Sequence, residues 1–145
     1  MIAKLPCGSS PTVTVVGNPI PNTYPYFAGA ALYNETLGTG TPNWAVLTTS
    51  QAGLKYVANA WADATGVPPV SLRQGIFNAY GVGLANMTVG WQDGSGDTVH
   101  ITAYGFARSD GNLVGITGDL TMFLATMAAQ GENYTAVNFQ IVGSS

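Results

Sequence analysis

Apolar and polar positions along this chain change period several times, and the changes mark out its elements. Thr12–Val16 alternates as a short strand and stops at Gly17-Asn-Pro. The following stretch to Pro25 carries three prolines, which hold it extended or looped. Residues Tyr26–Tyr33 (YFAGAALY) and Trp44–Thr48 (WAVLT) read as two further strands, joined by the glycine- and threonine-rich segment 37–42.

A helical period follows. Leu54, Val57, Ala58, Trp61 and Ala62 share one stripe, with Ser50 expected as N-cap and Gly66 as the stop. Pro68 and Pro69 bar continuation. Ser71-Leu-Arg-Gln74 then has the spacing of a capping box, which predicts a second short helix to about Tyr80, ended by Gly81.

Alternation returns at residues 85–91 and again over 98–108, and resumes in 113–116, a pattern expected to give a three-stranded meander. Asp119 is expected to cap an amphipathic helix on Leu120, Phe123, Leu124, Met127 and Ala128, closed by Gly131. Residues 134–142 alternate as a last strand. The resulting order, β-β-β-α-α-β-β-β-α-β, predicts an α+β fold: a mainly antiparallel sheet with about three helices packed on one face. Residues 1–11 are expected to form a flexible N-terminal arm and 12–145 a single α+β domain; no repeat or linker divides them.

Composition changes this picture in one respect. Only 8% of the 145 residues are charged, against about 25% in an average soluble protein. Lys4, Lys55, Arg73 and Arg108 are the whole cationic content, and the net charge is −3. Four scattered cations release few counterions from a phosphate backbone, so tight nucleic-acid binding by one copy is excluded; weak single-stranded contacts at these residues would need repetition in an assembly. No apolar run approaches the roughly 18 residues that span a bilayer. The opening MIAKLPCGSS has no long apolar core, read as the absence of an export signal unless Met1 was added to a mature secreted chain. Cys7 is the only cysteine, so it forms no internal disulfide framework and no multi-cysteine metal site. Three sequons, at Asn34, Asn86 and Asn133, occur at a frequency that chance would nearly supply.

Candidate chemistry concentrates in GWQDGSGDTVH, residues 90–100. Asp93, Ser95 and Asp97 alternate as in the first half of a calcium loop, but the twelfth position counted from Asp93 is Tyr104, not a bidentate Glu. With strand-like flanks and Asp-Gly and Ser-Gly pairs, a plain hairpin turn is the stronger reading. Asp93 and Asp97 remain a candidate cation pair, completed by oxygens from a second subunit. His100 with a neighbouring aspartate offers two parts of a catalytic triad, yet no Gly-x-Ser-x-Gly stretch supplies the third.

The strip of Thr98, His100, Thr102, Tyr104, Phe106 and Arg108 is the leading functional face, since hydroxyls and aromatic rings at every second position can meet a sugar, a base or another subunit. Its large rings are equally suited to being covered within the same domain.

With so few titratable groups, an enzyme is not expected, nor a cofactor. The expectation is a non-enzymatic self-assembling structural subunit, a virion coat or extracellular filament protein, whose partner is itself. A low charge content suits a surface that is buried against its own copies. The alternative is a secreted carbohydrate-binding module, lectin-like, which would hold glycans on the 98–108 strip. Either reading places the protein in a virion or outside the cell, with no membrane partner.

Overall fold

Eleven strands, all paired antiparallel, and two helices make up the described part of the computed structural model, which comprises residues 2–4, 14–16, 24, 26–31, 36–51, 59–66, 71–74, 77–78, 86–93 and 99–140. The strands are β1 (Ile2–Lys4), β2 (Thr14–Val16), β3 (Tyr26–Ala31), β4 (Trp44–Ser50), β5 (Ser71–Gln74), β6 (Phe77–Asn78), β7 (Asn86–Asp93), β8 (Val99–Arg108), β9 (Val114–Thr117), β10 (Tyr134–Val137) and β11 (Phe139–Gln140). The helices are α1 (Ala60–Thr65) and α2 (Leu120–Ala129). The sheet runs β1-β2-β3-β4-β9-β8-β7-β11, with β5 on β3, β10 on β8 and β6 on β7.

The expected meander is present: β7, β8 and β9 are consecutive in sequence and neighbours in the sheet. β4 lies between β3 and β9, the position of a central strand. Being covered on both faces, it buries Thr48, Thr49 and Ser50 as well as Ala45 and Val46. The Thr48 hydroxyl oxygen accepts from the Trp61 backbone N–H at 3.0 Å, so this polar group brings the start of α1 onto the strand.

Register assigns each apolar residue to a face. Ala28 and Ala30 on β3 and Val46 on β4 share one face and pack with Trp44, Trp61 and Leu113. Phe106 stands opposite Gly115 on that same face and packs with Phe123 and Met127 of α2. Ala31, Ala45, Ile116, Ala103 and Trp91 occupy the other face, where Leu37 and Phe139 close over them.

Helix α2 begins where the sequence places it. The Asp119 Oδ1 accepts from the Met122 N–H at 3.0 Å, and Gly131, at φ 80°, takes the left-handed conformation that stops the helix. Helix α1 ends at the expected Gly66, at φ 73°, but starts later than expected. Ser50 is still strand and bridges to Asn59, and the Asn59 side chain caps α1 by accepting from the Ala62 N–H at 2.8 Å. Of the expected stripe, Trp61 and Ala62 are helical, while Leu54, Val57 and Ala58 lie outside the described residues.

The expected helix at 71–80 is corrected: its described residues, Ser71–Gln74 and Phe77–Asn78, are strand. Ser71–Gln74 pairs with Ala31–Ala28 along the edge of β3 away from β4, and Phe77–Asn78 pairs with β7. A capping box stabilises an isolated turn only slightly, and a helix this short is marginal in water. The edge of β3, in contrast, offers a row of backbone donors and acceptors that need partners. Two helices therefore stand among the described residues where three were expected.

The expected last strand is divided at Asn138: β10 pairs with β8 and β11 with β7. The change of partner turns Phe139 onto Gly105, where an added Cβ would lie 2.6 Å from the ring. Of the expected N-terminal arm, residues 2–4 form β1, paired to β2, and residues 5–11 lie outside the described ones.

Candidate functional site

The strip along β8 is divided by the packing of α2. Thr102 and Tyr104 of β8 share the face of the sheet that carries Phe106, and α2 covers only the Phe106 end of it. Phe106 is fully buried, whereas Thr102 is exposed and Tyr104 is 50% exposed. Of the two expectations for Phe106, open face or cover within the domain, the second holds, which takes it out of the candidate face and into the core. The reason is steric: Gly115, opposite it, leaves room for the ring, which α2 then seals with Phe123. His100 stands opposite Gln92 in the β7–β8 ladder, and Thr98 lies outside the described residues.

Arg108 is half-buried, and its guanidinium Nε donates to both carboxylate oxygens of Asp110, at 3.0 and 2.9 Å. This pair pulls the Asp110 carboxyl below the usual range, helped by the Asn112 N–H, and holds Arg108 charged. The other described cations are on strands that do not pair with β8. Lys4 is on β1, opposite Thr14, and Arg73 is on β5, opposite Gly29. In sheet order Lys4 is five strand-to-strand steps of about 4.8 Å from β8. Lys55 lies outside the described residues.

Asp93 closes β7 opposite Val99 of β8, so the flanks of the candidate calcium loop are paired strands, as its sequence implies. Asp97 lies outside the described residues, as does Cys7.

Two further surfaces come from the fold. The first is the outer side of α2. The helix contains no charged residue, and its outward positions Thr121, Met122, Ala125 and Ala129 line a shallow, mainly apolar depression bordered by Asp119 at one end and Thr126 and Gln130 at the other, with Met122 42% exposed. An ordinary surface helix is polar or charged on this side.

The second is a cleft of about 320 Å³ between the end of α2 and the strands β4 and β10. Pro42, Trp44, Met127 and Tyr134 supply its apolar surface, and Asn43, Thr126, Gln130 and Glu132 its polar groups. The rings beneath are fixed in an aromatic cluster: Trp44 meets Phe106 edge-on at 5.8 Å, and Tyr134 meets Phe106 at 5.5 Å and Phe123 at 5.3 Å. The Tyr134 hydroxyl donates to Glu132 Oε2 at 2.9 Å. Burial pushes the phenol upward, the Glu132 carboxylate adds to the rise, and Arg108 opposes it. The phenol thus stays protonated at neutral pH and serves as a hydrogen-bond donor.

No local motif in the sequence announces this cleft. Its walls are about 90 residues apart and meet because β9 and β8 bring β4 and β10 into one sheet. Comparison of the chain with protein-family models, with curated proteins and with solved structures gave no match.

Proposed function

We propose that this protein is a self-assembling structural subunit, a coat or filament protein whose principal partner is another copy of itself. The supporting observation is the outer side of α2, where no residue of the helix is charged, Met122 and its small neighbours are turned to solvent, and Asp119 at the N-cap is the one charge at the border. A second copy offers the same mainly apolar surface, with the Asp119 carboxylate already held by the Met122 and Gly40 N–H groups, which suits a self-complementary contact. The chain-wide scarcity of charge points the same way, since each ion buried unpaired at an interface is costly. The half-exposed Tyr104 on β8 supplies a second contact of the kind enriched in interfaces. Nucleic acid is a weak partner in this reading, because Arg108 is already paired to Asp110 and the other described cations sit on separate strands.

The alternative of a glycan-binding face on β8 is the weaker of the two, because burial of Phe106 removes one of the two large rings of that strip and leaves Tyr104 open. Light scattering and negative-stain electron microscopy on the purified chain test the proposal. The expected result is a closed particle or filament, dissociated by Met122→Glu with the circular dichroism spectrum retained. A monomer at high concentration overturns it.

A further inference from the structure

We infer that the cleft between α2 and strands β4 and β10 is a binding site for one neutral pyranose sugar. The inference is independent of the assembly reading, since the cleft is built within a single chain.

Three features select the ligand. The volume, about 320 Å³, is at the small end of the about 300–1,000 Å³ range of ligand pockets, so it takes a single ring. The apolar surface is partly aromatic: Trp44 and Tyr134 are half-buried, fixed by neighbouring rings and open toward the cleft. Such surfaces suit the C–H face of a sugar.

The polar groups are of the third kind needed. The side chains of Thr126 and Gln130 make no hydrogen bond to another described residue, and Glu132 uses Oε2 for Tyr134, leaving Oε1 as an acceptor. Together they present an amide that both donates and accepts, a hydroxyl, and a carboxylate oxygen, the set that hydroxyl groups satisfy. A purely apolar ligand would leave these groups unsatisfied. An anion would face Glu132 with no free cation lining the cleft, because Arg108 is engaged by Asp110.

Saturation-transfer NMR tests this on the full chain in whatever assembly it forms, using the methyl pyranosides of glucose, galactose, mannose and N-acetylglucosamine. At least one sugar is expected to receive saturation. Gln130→Ala and Glu132→Gln are each expected to weaken it about 2- to 10-fold, the loss of one hydrogen bond. Both positions are exposed, so the fold is retained, which circular dichroism verifies. Tetramethylammonium is the competing probe, since a carboxylate beside aromatic rings also suits an ammonium ion. Saturation of tetramethylammonium but of no sugar overturns the proposal. So does sugar binding that neither substitution alters, or the absence of binding across the panel.

Discussion

The ring of Phe106 lies stacked on that of Phe123, with centroids 4.0 Å apart and planes 25° from parallel. This contact joins the middle of the sheet to α2. Both rings are fully buried, and each also meets Trp44 and Tyr134 edge-on. It decides which part of β8 is surface, because α2 is anchored at Phe106 and stops short of Tyr104.

Phe106→Ala is expected to cost about 3–5 kcal/mol of folding stability, through lost burial and the cavity left under α2. Urea unfolding followed by circular dichroism measures it. A cost below about 1 kcal/mol would mean that α2 is not held by this ring.

Gly115→Ala is expected to destabilise from the opposite direction. A Cβ there would lie 2.4 Å from Phe106 Cζ and 2.6 Å from the Ala45 carbonyl oxygen, so the ring or the strand must shift. Overpacking of this kind costs about 1–3 kcal/mol. The same unfolding measurement applies, and Phe106→Leu in the same chain should recover part of the loss by shortening the side chain.

Asp119 links stability to pH. Its carboxylate accepts from the Met122 N–H and from the Gly40 N–H at 2.9 Å, and these bonds hold its pKa below the ordinary value against a smaller opposing effect of burial. A depressed folded pKa contributes stability above the unfolded value, about 3.9. That contribution is lost as pH falls through the folded value. The urea midpoint should therefore drop on acidification below about pH 4. Asp119→Asn should show a shallower drop, and an unchanged slope would remove Asp119 from the account.

Asn59→Ala is expected to cost about 1 kcal/mol, the usual loss of a helix cap, because its side chain satisfies the Ala62 N–H. Full burial of Asn59 adds to the cost, whereas Asn59→Asp, which keeps the accepting oxygen, tests whether charge is tolerated there. Thermal unfolding of both variants reads the difference.

Tyr104→Ser separates folding from assembly. The ring is half-exposed, so stability should change by no more than about 0.5 kcal/mol. If the proposed assembly uses this side of β8, the particle or filament mass measured by light scattering falls while the monomer stays folded.

Helix α2 was legible because its signals are local: Asp119 to cap, apolar residues recurring along the turn, Gly131 to stop. The meander was legible for a similar reason, since β7, β8 and β9 pair with their neighbours in sequence. Ser71–Gln74 was misread because its local pattern favours a helix start, while its actual partner, the edge of β3 from Ala31 back to Ala28, is 40 or more residues earlier. Whether Phe106 is open or covered stayed undecided in the sequence, because alternation tells which face a residue points to and not whether anything covers that face.

By itself the sequence determined helix α2, the β7–β9 meander and the stop of α1 at Gly66, and that ionisable groups would be scarce; these follow from backbone preference and side-chain period within a few residues. Tertiary structure alone decided which strand edges were filled, which half of the β8 strip α2 would bury, and that Trp44 and Tyr134 would border one cleft. Those outcomes depend on pairing and packing between segments far apart in the chain, where the gain from completing a sheet edge or sealing an aromatic ring outweighs the small local preferences of the residues involved.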